Sequence, residues 1–299
     1  MQWLAIINPR SGHRKKPGEM EEIETKLRAI LSDDLEVSVT QYVGDALRQA
    51  RQRRDVDGFI AVGGDGTLFD LINGMDLSRQ RLAIFPAGTG NGLARALGIL
   101  DREVALAALE ASGCRQIDLI KVTGTFVGGE SRSWYVATTA SLGYASDVVE
   151  LANAYFKPLG PFCYPIASIV QAVVQGSMSG RWRSDGGEWK KLEATNVLIN
   201  NTKFAGDFEA LPEACIDDGK ADAVVAQAGF FTQVLHNISV LSRLHFYTTG
   251  KIFKTGRVDF ELAGQRLLML DGEIVPGIKE VSFAVEANCL KVVAPVIES

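Results

Sequence analysis

The sequence lacks clustered cysteines and histidines, and it has no long apolar run. Its four cysteines show no CxxC spacing and its three histidines are scattered. This argues against a disulfide framework or a cysteine–histidine metal centre and indicates reduced thiols. No stretch approaches the roughly 18 apolar residues of a membrane-spanning helix, and the residues after Met1 do not resemble a signal peptide. We therefore expect a cytoplasmic protein without a transmembrane segment.

An excess of positive charge is also absent. The formal net charge is −5, whereas binding of nucleic acid or permanent adhesion to an anionic membrane needs a basic face. Of the 299 residues, 46% are hydrophobic and 22% are charged, which is the composition of a globular protein. The length is sufficient for one large core or for two ordinary ones.

Residues 1–123 alternate strand patterns with helix patterns. The runs WLAIIN, LEVSVTQY, GFIAV and RLAIFPA are typical of strands, and EMEEIETKLRAIL, GDALRQARQRR and REVALAALEAS are typical of helices. This alternation predicts an α/β domain with a parallel sheet and helices on both faces. The C-terminal segment 285–299 is a further candidate for the same domain. Ligands of such sheets bind beyond the carboxyl ends of the strands.

Residues 124–284 follow a different pattern and predict a β-rich domain, an antiparallel sandwich with two helices. The strand candidates include SWYVATTASL, GRWRS and WKKLEATNVLIN, and the last two are joined across DGG, which is a hairpin signal. The helices are CYPIASIVQAVVQG and TQVLHNISVLSRLHF. We expect their apolar stripes to pack mostly in the core. The alternative is that some of these residues line an apolar ligand pocket.

Three glycine-containing segments follow strands of the first half. They are NPRSG (8–12), GGDGT (63–67) and PAGTGNGLAR (86–95). Glycine lets a backbone approach a phosphate closely, and consecutive N–H groups favour an anion. Neither GxxxxGK[ST] nor GxGxxG is present. One such turn is weak evidence, but three at successive strand ends indicate a nucleotide phosphate site; the alternative is a set of tight turns.

Asp65 is the unusual residue of the second segment, because an anion site contains a carboxylate only when a cation intervenes. Mg²⁺ bound by a carboxylate and by phosphate oxygens is the usual solution. The alternative is that Asp65 caps the following helix. Thr67 and Thr89 are candidates either to bind phosphate or to cap. The basic residues that could neutralise phosphate charge are Arg10, Arg14, Lys15, Lys16 and Arg95. For residues 14–16 the alternative is an ordinary solvated loop.

At these residues the sequence resembles the diacylglycerol kinase catalytic family, which contains bacterial soluble lipid kinases, sphingosine kinases and ceramide kinases. GGDGT alone is shared with NAD kinases and phosphofructokinases, but the ordered set of motifs is specific. The set comprises NPRSG, VTQYVGDA, GGDGTLFDLINGM, PAGTGNGLARALG, IDLIKV, SLGYASDVV, LPEACIDDGKADAVV and LDGE. The resemblance implies an NAD-kinase-like N-terminal domain and a C-terminal lipid-binding domain.

The resemblance also implies ATP- and Mg²⁺-dependent phosphorylation of a lipid hydroxyl, on a diacylglycerol-like or sphingoid acceptor. Asp65 and Glu273 would be catalytic, with Glu273 as proton acceptor, although Asp271 and Glu273 could form an ordinary turn. An accessory divalent site would use the Asp218 side chain and the carbonyls of Cys215 and Lys220; its alternative is a plain DDG turn. The implied ATP-binding residues are Asn8, Pro9, Arg10, Ser11, Gly12, Thr40, Gly63, Gly64, Asp65, Gly66, Thr67, Gly88, Thr89 and Asn91.

Several positions depart from the family pattern and bear on the substrate. Phe69 and Asp70 stand where the family usually has Asn-Glu, and Asp207 stands where a glycine is common. Gly92 replaces an aspartate of the bacterial members and is closer to the small residue of sphingosine kinases. Two alternatives therefore stay open: a kinase for a soluble substrate, of NAD-kinase type, and a non-catalytic nucleotide- or lipid-binding regulator. For the lipid kinase we expect peripheral, transient contact with a membrane surface through apolar segments. A homodimer is left open.

Overall fold

The chain consists of two compact units. The computed structural model describes residues 1–12, 18–88, 90–205, 208–229, 232 and 250–295. Unit 1 comprises Met1–Leu119 and Ala287–Ser299, and unit 2 comprises Ile120–Glu286. The sequence-based limits were 1–123 with 285–299, and 124–284; as limits of functional domains they remain a prediction.

Unit 1 is built on a parallel sheet with fully buried central strands. Strand β1 (Trp3–Ile7) pairs with β2 (Leu35–Val39) and with β3 (Gly58–Gly63). β3 pairs with β4 (Arg81–Pro86), and the segment 291–293 pairs parallel with β4. Strands buried along their whole length are typical of a parallel sheet that helices cover, so the α/β prediction is confirmed. The helices are α1 (Glu19–Leu31), α2 (Asp45–Gln52), α3 (Asp65–Ile72), α4 (Gly92–Ala96) and α5 (Arg102–Glu110), with a 3-10 turn at Ser32–Asp34.

Unit 2 is rich in antiparallel strands, as the sequence predicts. Two long strands contain residues of both sequence ranges: β5 (Cys114–Phe126) begins in unit 1, and β16 (Glu273–Val293) ends there. The others are β6 (Ser131–Val136), β7 (Thr139–Gly143), β8 (Met178–Ser184), β9 (Lys190–Ala194), β10 (Asn196–Asn200), β11 (Phe204–Ala205), β12 (Phe208–Glu209), β13 (Ala221–Ala226), β14 (Lys251–Thr255) and β15 (Arg257–Leu270). Within this unit the main order is β14-β13-β10-β7-β15-β16, and β8 joins β15 to β9.

Two segments predicted as single strands are each divided in two. SWYVATTASL is divided because the N–H groups of Ala137 and Thr138 donate to the Asp271 carboxylate instead of to a neighbouring strand. WKKLEATNVLIN is divided at Thr195, after which the chain leaves β8 and pairs with β7 and β13. The hairpin predicted across DGG is confirmed, since β8 and β9 pair antiparallel on either side of it.

The helical part of unit 2 contradicts the expectation of core packing. It comprises α6 (Tyr144–Leu151), a π turn (Ala152–Phe156), a 3-10 segment (Lys157–Phe162) and α7 (Cys163–Val174). Helix α7 buries its alanines, Ala167 and Ala172, against α6, because small side chains allow two helices to approach closely. Most of its large apolar side chains are exposed, and Val173 is 69% exposed.

We call the exposed apolar side chains of this region the apolar surface. Its members are Tyr155, Leu159, Phe162, Tyr164, Ile169, Val170, Val173 and Val174. The other predicted helix, TQVLHNISVLSRLHF, lies outside the described residues except for Thr232. Of the helices that are described, none has the length and hydropathy needed to cross a membrane.

Candidate functional site

The three glycine-containing segments come together at one edge of the unit 1 sheet. They follow β1, β3 and β4, which are neighbours in the order β1-β3-β4. The backbone continues the ladder beyond the strands, since Asn8 N–H donates to Val62 and Ala87 N–H donates to Gly63, both at 3.0 Å. The carboxyl ends of parallel strands are where the sequence predicts a ligand site.

A side-chain hydrogen bond joins the first segment to the second. Asn8 Nδ2 donates to Thr67 Oγ1 at 3.1 Å, and Thr67 is buried in the first turn of α3. The oxygen of the same amide, Asn8 Oδ1, accepts the backbone N–H of Arg10 at 3.0 Å, and Ser11 Oγ donates to the Asn8 carbonyl. Asn8 therefore holds its own loop in shape and ties that loop to α3.

Glycines allow the segments to approach more closely than other residues would permit. A Cβ atom on Gly88 would lie 2.5 Å from the Cα of Gly64, and a Cβ on Gly12 would overlap the Ala87 carbonyl oxygen. Gly12 also has a φ of 74°, a conformation that favours glycine. These glycines are thus needed for the packing of one loop against the next, whatever ligand they bind.

Asp65 connects the second segment to the third. Its Oδ1 accepts the backbone N–H of Gly92 at 3.0 Å, and Gly92 is the first residue of α4. The N-cap position of α3 belongs to Gly64, with Asp65 as the first helical residue, so Asp65 is not the N-cap of its own helix. The backbone N–H of Gly92 thus holds the orientation of the Asp65 carboxylate.

Asn91 closes the third loop with its side chain. Its Oδ1 accepts the N–H of Gly88 at 3.1 Å and its Nδ2 donates to the Gly88 carbonyl at 2.8 Å. Asn91 itself has a φ of 51°, which asparagine tolerates better than most residues. Thr89 inside this loop lies outside the described residues, as do Arg14, Lys15 and Lys16.

The remaining predicted nucleotide-binding residues surround the same edge. Thr40 follows β2, and its N–H donates to the Ile7 carbonyl at 2.9 Å. Pro9 is partly buried, whereas Arg10 and Gly66 are exposed. The described candidates of unit 1 are therefore grouped, and their individual roles remain predictions.

Glu273 lies in unit 2, and its neighbour Asp271 has a role that the sequence did not reveal. Glu273 is exposed and begins β16 after a turn in which Asp271 and Gly272 have φ angles of 48° and 95°. One oxygen of Asp271 accepts the N–H of Ala137 at 2.8 Å. Its other oxygen accepts the N–H groups of Thr138 and Thr139, both at 2.9 Å, and the Thr138 hydroxyl at 2.5 Å. The carboxylate fixes the turn from which Glu273 projects.

The residues predicted for an accessory cation also lie in unit 2. Asp218 Oδ1 accepts the Lys220 N–H at 3.0 Å, and Asp218 Oδ2 contacts Lys254 Nζ at 2.6 Å. Cys215 Sγ donates to Asp217 Oδ1 at 3.1 Å, and this bond raises the pKa of the thiol. Within the described ranges, no three or more His, Cys, Asp or Glu side chains are grouped so as to hold a metal. The accessory site therefore stays a prediction.

A cavity of about 420 Å³ in unit 2 was not predicted from the sequence. Its lining includes Asp147 of α6, Met178, and Gln265 and Arg266 of β15. Burial raises the pKa of Asp147 from 3.8 to about 6, although the nearby Arg266 favours the charged form. Gln171 of α7 donates to its carboxylate at 3.2 Å. A carboxylic acid with this pKa changes charge near neutrality.

Comparisons with known proteins agree with the motifs. The family model described as "Diacylglycerol kinase catalytic domain" matches residues 2–122. A diacylglycerol kinase of Staphylococcus aureus is 27% identical over 277 residues, which are 90% of this chain and 84% of that protein. Sphingoid long-chain bases kinase 1 of Arabidopsis thaliana is 31% identical over 185 residues, which are 56% of this chain but only 23% of the plant protein.

A solved structure supports the same fold. The crystal structure of a diacylglycerol kinase from Bacillus anthracis superposes with a TM-score of 0.69 at 19% identity, covering 98% of this chain and 97% of that one. This likeness bears on the fold alone. Together with the family match, the comparisons confirm the resemblance to the diacylglycerol kinase catalytic family and support a lipid kinase.

Proposed function

We propose that this chain, a lipid kinase with a diacylglycerol kinase catalytic domain over residues 2–122, transfers the γ-phosphoryl group of ATP to a hydroxyl of a diacylglycerol-like or sphingoid lipid. The names of its relatives suggest both acceptor classes. The observation that carries the proposal is the meeting of three glycine-containing loops, with one carboxylate, at the carboxyl edge of the unit 1 sheet.

The loops suit a chain of phosphates. A triphosphate needs hydrogen-bond donors from several directions, and successive backbone N–H groups in glycine-rich turns supply them. The contacts between Asn8 and Thr67 and between Gly64 and Gly88 fix the loops relative to one another. This rigidity favours catalysis, because donors that are already in place do not have to reorganise as charge develops on the phosphoryl oxygens.

Asp65 fits the role of a magnesium ligand. It is a carboxylate beside loops rich in backbone N–H groups, and the Gly92 N–H holds its orientation. Mg²⁺, when bound with ATP, would neutralise phosphate charge at this place. Glu273 would accept the proton of the lipid hydroxyl, since a neutral hydroxyl becomes a better nucleophile when a carboxylate takes its proton. Its exposed position at the start of β16 leaves it accessible to an acceptor.

The apolar surface supports a lipid acceptor in preference to a soluble one. Segment 163–176, CYPIASIVQAVVQG, contains no charged residue, and α7 exposes Ile169, Val170, Val173 and Val174. An exposed apolar patch of this kind marks an interaction site. We assign it to peripheral, transient contact with the membrane that contains the substrate, because the net charge of −5 offers little attraction to anionic lipid headgroups.

The reaction is tested by transfer of labelled γ-phosphate from Mg·ATP. Diacylglycerol, sphingosine, ceramide and monoacylglycerol are offered in detergent, with NAD as a soluble acceptor. Asp65→Asn should abolish transfer without unfolding the protein, because asparagine keeps an oxygen that can accept the Gly92 N–H. Asp33→Asn, at an exposed position of unit 1, is the matched control and should retain full activity.

The outcomes separate the alternatives. A labelled lipid that is lost in Asp65→Asn and retained in Asp33→Asn supports the proposal and names the acceptor class. Label on NAD alone would replace it with a kinase of NAD-kinase type. ATP binding without transfer to any acceptor would support a nucleotide-binding regulator, and transfer that survives Asp65→Asn would refute the role given to Asp65.

A further inference from the structure

Two acidic side chains of unit 2, Asp218 and Asp222, lie close to the ammonium of Lys254. Asp218 lies in the turn before β13, and Asp222 lies near the start of that strand. Lys254 of β14 stands directly opposite Asp222 in the antiparallel pair. Directly opposed residues project their side chains on the same face of a sheet. The pairing of β13 with β14 therefore brings the Lys254 ammonium to the acidic turn.

The ammonium contacts both carboxylates. Lys254 Nζ lies 2.6 Å from Asp218 Oδ2 and 3.9 Å from Asp222 Oδ2. The side chain of Asp222 is only 5% exposed, and its Oδ2 finds no hydrogen-bond partner among the described residues. Burial raises the pKa of Asp222, whereas Lys254, the cation within 4 Å of this oxygen, favours the charged carboxylate.

These residues do not fit a divalent cation as they stand. Mg²⁺ and Ca²⁺ require several oxygen ligands that point at one position, whereas Asp218 Oδ2 and Asp222 Oδ2 both face the Lys254 ammonium. Both oxygens of Asp218 already accept hydrogen bonds, Oδ1 from the Lys220 N–H and Oδ2 from Lys254. A metal on Asp218 would also lie beside a positive ammonium and be repelled by it.

We infer that the Lys254 ammonium is the resident cation of this cluster, in the place where the family resemblance implies an accessory divalent ion. The wild-type chain then takes no divalent cation at Asp218. Removal of the positive charge leaves Asp218 and Asp222 uncompensated, together with the carbonyls of the 215–220 turn. The cluster thereby becomes a site for a divalent cation.

The test measures the thermal midpoint of the full, nucleotide-free chain in EDTA, in Ca²⁺ and in Mg²⁺. The wild type should show the same midpoint in all three. Lys254→Met should unfold at a lower temperature in EDTA and recover in Ca²⁺, whereas Lys254→Arg should behave like the wild type. Lys251→Met is the matched control, because it makes the same substitution on the opposite face of β14 and should respond to neither cation. Adding Asp218→Asn to Lys254→Met should remove the recovery.

Three results would overturn the inference. The first is a wild-type midpoint raised by Ca²⁺ or Mg²⁺ through Asp218. The second is a Lys254→Met protein as stable in EDTA as the wild type. The third is a destabilised Lys254→Met protein that no divalent cation restores, which would reduce the lysine to an ordinary ion pair. Since the readout is thermal, none of these depends on the proposed reaction.

Discussion

Asp65 and Gly92 lie 27 positions apart in sequence and are joined by a hydrogen bond of 3.0 Å from the Gly92 N–H to Asp65 Oδ1. The bond connects the start of α3 to the start of α4. It explains how a chain with glycine at position 92 still orients the carboxylate: the backbone donates, and no side chain at that position is required.

The bond predicts a difference between two variants of Asp65. Asp65→Ala removes the acceptor and should lower the free energy of unfolding by about 1–2 kcal/mol, because the N–H of the buried Gly92 loses a partner. Asp65→Asn keeps an oxygen that can accept this N–H, so its free energy of unfolding should fall much less. Urea unfolding of both variants provides the measurement, and equal losses would show that the bond adds nothing to stability.

The contact between Gly64 and Gly88 predicts that alanine is not tolerated at position 88. A Cβ there would lie 2.5 Å from Gly64 Cα, so one loop has to move, at a cost of about 1–3 kcal/mol. Gly88→Ala should therefore be less stable and should bind ATP more weakly, as measured by urea unfolding and by nucleotide titration. Gly264→Ala is the control, because its Cβ meets nothing within 4 Å. A Gly88→Ala protein with unchanged nucleotide affinity would contradict the prediction.

Asp271 should tolerate even asparagine poorly. Each of its two carboxylate oxygens accepts at least one backbone N–H. An asparagine would replace one oxygen by an N–H₂ group, which would face an N–H donor and could not accept from it. We expect Asp271→Asn to cost about 2–4 kcal/mol of stability and to lower kcat through the displaced turn before Glu273. Asp185 is a matched control, because its Oδ1 alone accepts from Gly256 and Arg257. Similar losses of stability for Asp185→Asn and Asp271→Asn would argue against a requirement for both carboxylate oxygens of Asp271.

Asp147 predicts a dependence of stability on pH. Its folded pKa of about 6 lies above its ordinary value of 3.8, so folding favours the protonated acid. The contribution of this group to the free energy of unfolding is most favourable below pH 3.8, where the acid is protonated in both states. That contribution is lost as the pH rises through about 6. Asp147→Asn lacks this loss and should be more stable than the wild type at pH 8, by about 1–3 kcal/mol, and nearly equal to it near pH 4. Urea unfolding across this range is the measurement, and a pH-independent difference would contradict the raised pKa.

The apolar surface predicts an effect on lipid contact without an effect on folding. Val173→Asp should leave the thermal midpoint unchanged, because the side chain is already 69% exposed. It should weaken binding to phosphatidylcholine vesicles that contain diacylglycerol by roughly tenfold, since about 1.5 kcal/mol is the minimum for burying a valine. Val127→Asp, 59% exposed in the turn after β5, should change neither quantity. Equal vesicle binding by all three proteins would remove the surface from the proposal.

The sequence predicted the loops of unit 1 because their chemistry is local. Glycines, Asp65 and the strands before them lie within a few residues of one another, and parallel strands bring their carboxyl ends to one edge. Asn91 closing its own loop is local too, but the bond between Asp65 and Gly92 depends on two helices meeting. Periodicity could not reveal it.

The errors concern unit 2, where partners lie far apart in the chain. The pattern of α7 showed which residues share a face, but it could not show that the alanine face, instead of the valine face, packs on α6. The division of WKKLEATNVLIN at Thr195 follows from a change of strand partner, and Asp271 binds residues more than 130 positions away. Such contacts depend on topology, which a single sequence does not display.

The pairing of residues 291–293 with β4 also affects the order in which the protein can fold during synthesis. β4 ends at Pro86, so the ribosome adds roughly 200 further residues before the partner segment exists, which takes about 10–40 seconds at ordinary translation rates. During that interval the nascent sheet presents an apolar strand with one unpaired edge, and such an edge invites pairing with other chains. We therefore expect ribosome-bound fragments that end before residue 291 to require chaperones, whereas the released chain completes its own sheet.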